Sequence, residues 1–195
     1  AGIQRLITVD LHADQIEGFF SIPVDNIYSS QILLSDIWKK RYQDPVIVSP
    51  DVGGVLRARA IARRLDSAGL AIIDKRREAA NKSEVMNIIG DDDGKTTILF
   101  DDMVDTAGTL TKAADLMMEN GATSVRAYCT HGILSGSAYE RLDSSNIEEL
   151  VITNTIPKTH NCKKVREVSV APFFAQTINS VVKNESISAK WKSNQ

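Results

Sequence analysis

The residues best suited to chemistry lie in one stretch near the middle of the chain. Residues 97–100 form a short apolar run, and three carboxylates, Asp101, Asp102 and Asp105, follow it closely. A tight stretch of small and hydroxylated residues, 106–109, comes after the last carboxylate. Carboxylates accept hydrogen bonds from sugar hydroxyls or bind a cation, and small residues let backbone N–H groups approach an anion. This stretch is therefore the first candidate for a binding site.

The elements around this stretch predict how it would bind a phosphate. The apolar run is typical of a buried strand, and residues 110–119 have the spacing of a helix that stops before Gly121. A strand, a loop and a helix in this order place the positive end of the helix at the loop, where the Thr106 and Thr109 hydroxyls can add hydrogen bonds. The alternative interpretation is structural: a solvated acidic strand end, with Asp105 or Thr106 capping the helix.

Two other loops carry residues for phosphate chemistry. Asp51, Gly53 and Gly54 stand between an apolar run and a helical pattern, and the glycines allow close approach of the backbone to a phosphate. A plain turn is the alternative for this pair of glycines. Lys75, Arg76 and Arg77 follow another apolar run, where cations are usually solvated. A loop bearing such cations can instead close over a transferring phosphoryl group and stabilise its charge.

The three histidines differ in their sequence surroundings. His12 lies between Asp10 and Asp14, so a metal or phosphate role is reasonable beside the commoner structural one. His131 follows a predicted strand and is interpreted as structural, because no partner is evident in the sequence. His160 lies in a polar connector and is expected to be solvated.

The elements that must position these residues alternate between strands and helices. The predicted strands are residues 6–9, 46–48, 70–73, 97–100, 125–130, 150–153 and 168–170, and the predicted helices are residues 32–42, 53–65, 110–119 and 172–182. The alternation predicts a mainly parallel sheet with helices on both faces. Asp10, Asp51, Asp74 and Asp101 each follow an apolar strand directly, so their loops are expected to converge on the carboxyl edge of the sheet. Pro23 is expected to break the chain.

The bulk properties limit the class of protein. The 195 residues are 43% hydrophobic and 25% charged, which is ordinary for one globular domain. A net charge of −2 gives no basic surface for nucleic acid, and there is no apolar run that would span a bilayer and no signal-peptide pattern. Cys129 and Cys162 do not suggest a disulfide framework, so a cytoplasmic protein with free thiols is expected. The first residues resemble the middle of a longer polypeptide.

Four stretches together resemble one family, the ribose-phosphate diphosphokinases (PRPP synthetases). The stretches are residues 10–15, 49–54, 74–77 and 97–109, which occur in the family's order and at its spacing. The resemblance covers essentially the whole chain and corresponds to the C-terminal half of the family's usual two-domain polypeptide. It implies an α/β, phosphoribosyltransferase-like fold with a mainly parallel sheet, in a single domain over residues 1–195.

The resemblance also implies an activity: transfer of the diphosphoryl group of MgATP to ribose 5-phosphate, which gives PRPP and AMP for nucleotide biosynthesis. The implied site residues are Lys75 and Arg77 as catalytic cations; Asp101, Asp102, Asp105, Thr106, Ala107, Gly108 and Thr109 for ribose 5-phosphate; Asp51, Gly53 and Gly54 as the pyrophosphate loop; and His12 and Asp51 at a Mg²⁺ position. The family further implies a homo-oligomer built from dimers, up to a hexamer, with phosphate or ADP as effectors.

The chain departs from the family pattern in two places, and two rival functions stay open. Glu78 stands where the family usually has proline, and Lys190 and Lys192 flank Trp191 near the end. The rivals are a nucleobase phosphoribosyltransferase and a non-catalytic regulatory homologue. The family's ATP contacts come in part from its other half, so this chain alone is expected to be inactive.

Overall fold

The computed structural model describes residues 2–65, 68–76 and 85–187, with the backbone alone at Lys75, Arg76 and Val85. The strands in these residues are β1 (Leu6–Val9), β2 (Val24–Ile27), β3 (Pro45–Ser49), β4 (Gly69–Arg76), β5 (Val85–Ile89), β6 (Thr96–Val104), β7 (Ser124–Gly132), β8 (Ile147–Thr153) and β9 (Val165–Val168). The helices are α1 (Ser30–Lys40), α2 (Val55–Ala62), α3 (Gly108–Glu119), α4 (Ala138–Ser144) and α5 (Ala171–Val182), with a 3₁₀ helix at Asp14–Phe19.

Seven of these strands form a central sheet in the order β5-β4-β3-β6-β7-β8-β9. Neighbouring strands are parallel except β5, which runs antiparallel to β4 at one edge. The chain enters the sheet at β3, adds β4 on one side and then β6 on the other. The order of connection therefore reverses between β3 and β6, and a ligand crevice is expected outside the carboxyl ends of these two strands.

Helices cover both faces of the central sheet, as the sequence predicts. On one face α1 and α2 bury Leu33 and Ile61 against the strands. On the other face α3 and α4 pack on the sheet, and α3 contributes Leu110 and Met117 to that core. The apolar positions of α3 recur with the spacing of one helical face, which explains why this segment forms a helix against the sheet.

β1 and β2 stand apart from the central sheet as a two-stranded parallel sheet. Pro23 was expected to break the chain, but β2 begins at Val24 and pairs with β1. A proline directly before a strand takes no N–H away from the strand's own pairing. The prediction of a chain break at this point is therefore wrong.

Other boundaries also differ from the sequence predictions. β6 continues to Val104 because its pairing with β7 extends past the end of β3, so Asp101 and Asp102 lie within the strand. Asp74 lies inside β4, opposite Asn87 of β5, and not in a loop after the strand. α2 ends at Ala62 rather than residue 65, and β9 begins three residues earlier than predicted. β2, β5 and α4 were not predicted.

No helix in the described ranges combines the length and the apolar character needed to cross a membrane.

Candidate active site

A cavity of about 570 Å³ opens at the carboxyl ends of β3 and β6. It is lined by His12, Asp51, Gly53, Gly54, Arg57, Asp101, Asp102, Met103, Val104, Asp105, Thr106, Ala107, Gly108, Thr109 and Leu110. The loops after β1, β3 and β6 thus meet at the predicted crevice. Asp74, which was expected at this edge, is not among the lining residues.

Almost all of the predicted site residues come together in this cavity. The exceptions are the two cations of the basic stretch. Lys75 lies on β4, where its backbone is paired opposite Met86, and its side chain is not described. Arg77 lies outside the described residues, so the roles of both cations stay predictions.

The loop from β6 into α3 ends in an unusual backbone conformation. Ala107 has a φ of 60° and precedes the first residue of α3, Gly108. The prediction that Asp105 or Thr106 caps the helix is wrong, because Ala107 holds the cap position and no side chain caps it. The first N–H groups of a helix have no acceptor within the helix, so those of α3 can serve a phosphate.

Two residues from the segment after β7, Ser135 and Arg141, hold this loop in place. Ser135 hydrogen bonds to Asp105 twice, through its hydroxyl to the carboxylate and through its N–H to the carbonyl oxygen. Arg141 of α4 donates from Nη1 to the carbonyl oxygen of Thr106 at 2.9 Å. These contacts lie on the segment that follows β7, so the loop is preorganised before any ligand binds.

The loop after β3 is fixed by Asp51 and Ser49. Asp51 Oδ1 accepts a hydrogen bond from the Gly54 N–H at 2.8 Å, and Ser49 Oγ donates to the Asp51 carbonyl oxygen at 2.6 Å. A Cβ on Gly54 would lie only 2.8 Å from Ser49 Oγ. Glycine is therefore required for this close approach, and not only for a turn.

Two carboxylates of β6 face one guanidinium in the cavity. Arg57 Nη1 lies 3.8 Å from Asp101 Oδ1, and Nη2 lies 3.3 Å from Asp102 Oδ2. Burial, together with its hydrogen bond to Asp102 and the charge there, raises the pKa of Asp101 well above its ordinary range. Burial also acts on Asp102, but the hydrogen bond from Asp101 and the charge of Arg57 outweigh it and lower the pKa of Asp102. The pair thus favours one shared proton.

His12 reaches the same pair from the loop after β1. Its Nδ1 lies 2.9 Å from Asp102 Oδ2, so Nδ1–H donates to this carboxylate. In a neutral imidazole the lone pair is then on Nε2. A carboxylate that orients a histidine in this way is the common arrangement behind metal-bound imidazoles.

The donor set of the cavity suits a cation that is shared with a ligand. Among the described residues, no three His, Cys, Asp or Glu side chains gather closely enough to hold a metal by themselves. Mg²⁺ binds through one or two carboxylates and completes its shell with waters and substrate phosphates. His12 and Asp51 both line the cavity, which fits such a shared position.

Arg57 is a charged residue of the cavity that the sequence did not single out. In the sequence it is one of four arginines between residues 57 and 64. A signal was present: Arg57 follows Gly54 by three residues, so it lies one turn into a helix whose N-terminus faces the crevice. The partners that make it distinctive, Asp101 and Asp102, are more than forty residues away in the sequence.

Comparisons with known proteins identify a family for the chain. Residues 77–192 match the family model described as the phosphoribosyl synthetase-associated domain. A ribose-phosphate pyrophosphokinase from Bordetella pertussis is 57% identical over 97% of this chain and 62% of its own length. Its counterpart from Marinomonas sp. is 53% identical over 96% of this chain and 61% of its own length. The chain therefore spans about three-fifths of these relatives.

A solved structure leads to the same family. The crystal structure of phosphoribosylpyrophosphate synthetase from Mycobacterium smegmatis matches with a TM-score of 0.85 and 41% identity, over 94% of this chain and 60% of that one. The molecule is thus an α/β protein with the phosphoribosyltransferase-like fold. The chain belongs to the ribose-phosphate pyrophosphokinase (PRPP synthetase) family, as its four characteristic stretches predict.

Proposed function

We propose that this cavity serves a ribose-phosphate diphosphokinase, which transfers the diphosphoryl group of MgATP to the C1 hydroxyl of ribose 5-phosphate to give PRPP and AMP. The observation that carries the proposal is the cavity at the β3–β6 switch point. It joins a helix N-terminus that no side chain caps, a glycine loop and three carboxylates. A sugar phosphate has the hydroxyls and the charge that this combination recognises.

The proposed binding mode follows from the charges of the cavity. The sugar phosphate binds at the N-terminus of α3, where Thr106, Ala107, Gly108 and Thr109 present N–H groups and hydroxyls. Asp101, Asp102 and Asp105 accept hydrogen bonds from ribose hydroxyls. The loop of Asp51, Gly53 and Gly54 faces the transferred phosphates. The protein's contribution is position and charge, as expected for phosphoryl transfer.

Cations are needed to bring phosphates beside so many carboxylates. Arg57 supplies one positive charge from the protein. Mg²⁺ near His12 and Asp51 would neutralise phosphate oxygens when it is bound. Imidazole is an unusual Mg²⁺ ligand, so His12 is proposed to act through phosphate or water. Lys75 and Arg77 are proposed to stabilise the transition state, and their alanine variants should lower kcat while KM changes little.

The remaining expectations for the whole protein are also proposals. They are a single domain over residues 1–195, a cytoplasmic homo-oligomer built from dimers, and phosphate or ADP as effectors. Relatives that are more than half identical carry the name pyrophosphokinase, which favours this function over a nucleobase phosphoribosyltransferase. The acidic loop and glycine loop are intact in the cavity, which favours an active enzyme over a regulatory homologue.

Calorimetry with ribose 5-phosphate, on the wild-type chain and on the Asp105→Ala variant, tests the proposal. We expect the wild-type chain to bind ribose 5-phosphate more tightly than ribose, because the α3 N-terminus recognises the phosphate. Loss of the Asp105 carboxylate should weaken the affinity roughly 10- to 150-fold, the equivalent of about 1.5–3 kcal/mol for hydrogen bonds to a charged group. Asp115→Ala is the matched control, since Asp115 is on the same region of the chain but outside the cavity. Equal affinities for Asp105→Ala and the wild type would contradict the assignment.

A further inference from the structure

Asp10 is a buried carboxylate at the end of β1, two residues before His12. Only 4% of its surface is exposed, and its φ of 43° is rare for a residue with a side chain. Asp10 Oδ2 accepts three hydrogen bonds: from the Ser29 N–H at 3.1 Å, from Ser29 Oγ at 2.6 Å and from Thr130 Oγ1 at 2.6 Å. Because this oxygen already accepts three hydrogen bonds, it has a structural role and is not available to bind a cation.

His131 holds the backbone of the same turn. Its Nε2 lies 3.2 Å from the Val9 carbonyl oxygen and 3.1 Å from that of Asp10. Both atoms can only accept, so Nε2 carries the proton and donates to them. Nδ1 is paired with Thr155 Oγ1 at 2.9 Å. The sequence-based interpretation of His131 as structural agrees with these contacts.

The contacts of Asp10 and His131 link two separate sheets. β1 pairs with β2 and has no place in the central sheet, so strand pairing does not fix its end against β6. Thr130 and His131 belong to β7, and His131 is the register partner of Met103, which follows Asp102 in β6. The contacts that Thr130 and His131 of β7 make with the turn after β1 therefore set the position of this turn relative to Asp102.

We propose that Asp10 and His131 are positioning residues, which hold the turn after β1 so that His12 Nδ1 meets the Asp102 carboxylate. Asp10 fixes the turn through its side chain, and His131 fixes it through two carbonyl oxygens. The inference deepens the proposed function, because His12 acts only in that cavity. The position of His12 can nevertheless be measured without any activity.

Nitrogen NMR of the histidine rings provides that measurement. The chain has three histidines, so the His12 signals can be assigned by substitution. Near about pH 8, where imidazole is ordinarily neutral, His12 in the wild-type chain should be held as the Nδ1–H tautomer. Asp102→Asn should release it to a mixture of tautomers and thus defines the signals of an unpositioned His12.

Thr130→Val removes a hydroxyl from Asp10 while it keeps the side-chain shape. We expect the His12 signals of the Thr130→Val variant to move toward those of Asp102→Asn. The Thr130→Ser variant keeps the hydroxyl, so its His12 signals should stay at the wild-type positions. Thr97→Val is the matched control, because Thr97 is an equally buried threonine whose hydroxyl bonds the Ser124 carbonyl at the other end of β6. If Thr130→Val does not fold, Ser29→Ala takes its place. This variant removes the other hydroxyl that donates to Asp10, and its His12 signals should move in the same direction.

Unchanged His12 signals in the folded Thr130→Val or Ser29→Ala variants would overturn the proposal. Equal movement in Thr97→Val would overturn it as well, because the effect would then be general loosening. Failure of the proposed function has a different signature: the wild-type chain would not bind ribose 5-phosphate in calorimetry, whatever the His12 signals show.

Discussion

Asp101 and Asp102 are neighbours in β6, yet their surroundings move their pKa values in opposite directions. Asp101 is buried beside another carboxylate, and its pKa is raised. Asp102 accepts from Asp101 and lies near Arg57 and His12, and its pKa is lowered. Both carboxylates lie near Arg57, but only Asp102 also pairs with His12, so the two adjacent residues differ in their partners. A pair of carboxylates with one raised and one lowered pKa suits a site that receives a cation or a hydroxyl, because the pair is not permanently charged on both residues.

Asp101→Asn should make the chain more stable at neutral and higher pH. An acid with a raised pKa binds its proton more tightly in the folded state. Wild-type Asp101 therefore lowers stability as pH rises from about 4, the ordinary value, toward its raised pKa. The variant should melt at the same temperature as the wild type near about pH 4 and higher near about pH 8. A gain of about 1 kcal/mol corresponds to about 2–4 °C for a chain of this size.

Thermal melts across this pH range check the prediction, with Asp102→Asn as the control of opposite sign. Asp102 has a lowered pKa, so its charge contributes stability above its ordinary pKa, and that contribution is lost as pH falls through the lowered value. Asp102→Asn should therefore melt below the wild type near about pH 8. If both variants moved the melting temperature in the same direction, the assigned difference between the two carboxylates would be wrong.

Sequence alone identified the residue types of the site but not their pairing. Asp51, Asp101 and Asp105 could be predicted because each lies in or beside a recognisable apolar run or glycine turn. The partnership of His12 with Asp102 spans ninety residues and depends on the separate β1–β2 sheet. Arg57 was missed for the same reason, since its role comes from carboxylates on another element.

At the scale of elements, the loops after β3 and β6 are built differently for related tasks. The β6 loop uses the left-handed Ala107 and support from Ser135 and Arg141. The β3 loop uses Gly54 and the carboxylate of Asp51. Both loops lead directly into a helix N-terminus at the same crevice, so two anionic groups of a ligand can be bound side by side.

Gly54→Ala should disturb the β3 loop through one contact. The added Cβ would lie 2.8 Å from Ser49 Oγ, so the loop or the serine must move. We expect a loss of about 1–3 kcal/mol in the free energy of unfolding, typical of overpacking, measured by urea denaturation. Removal of the serine hydroxyl in Ser49→Ala should recover part of this loss in the double variant. Gly18→Ala is the control, because a Cβ there meets nothing within 4 Å. Purely additive effects of Gly54→Ala and Ser49→Ala would contradict the contact.

The elements themselves were predictable where their pattern was local. β3, β4, β6 and β8 each contain a continuous apolar run, and α3 has a clear helical face. Among the described strands, β5 lies at an edge and pairs with β4 alone, so its pattern is weak. β6 runs four residues past its apolar segment because β7 continues beside it. The length of β6 is thus set by the neighbouring strand, and the sequence of residues 101–104 does not itself indicate a strand.

At the scale of the whole molecule, the described residues form the cavity proposed for a sugar phosphate but offer little to hold an adenine ring. No Phe, Tyr or Trp is among the described lining residues of the cavity. Phe100 and Tyr128 are fully buried in the core, and Phe19 and Trp38 are exposed on elements outside the cavity. Adenine sites usually have apolar or aromatic walls with a few polar groups. The relatives are longer than this chain, which leaves other residues to supply such walls.

We therefore predict that the 195-residue chain alone binds ribose 5-phosphate measurably but forms little or no PRPP. Calorimetry with ribose 5-phosphate and with MgATP separates the two binding events, and a coupled assay of AMP release measures turnover. Asp105→Ala serves as the control for specific sugar-phosphate binding, since it should weaken the first event and leave any ATP binding unchanged. Robust turnover by the isolated chain would show that the ATP site lies within these residues, and the proposed division of roles would then be wrong.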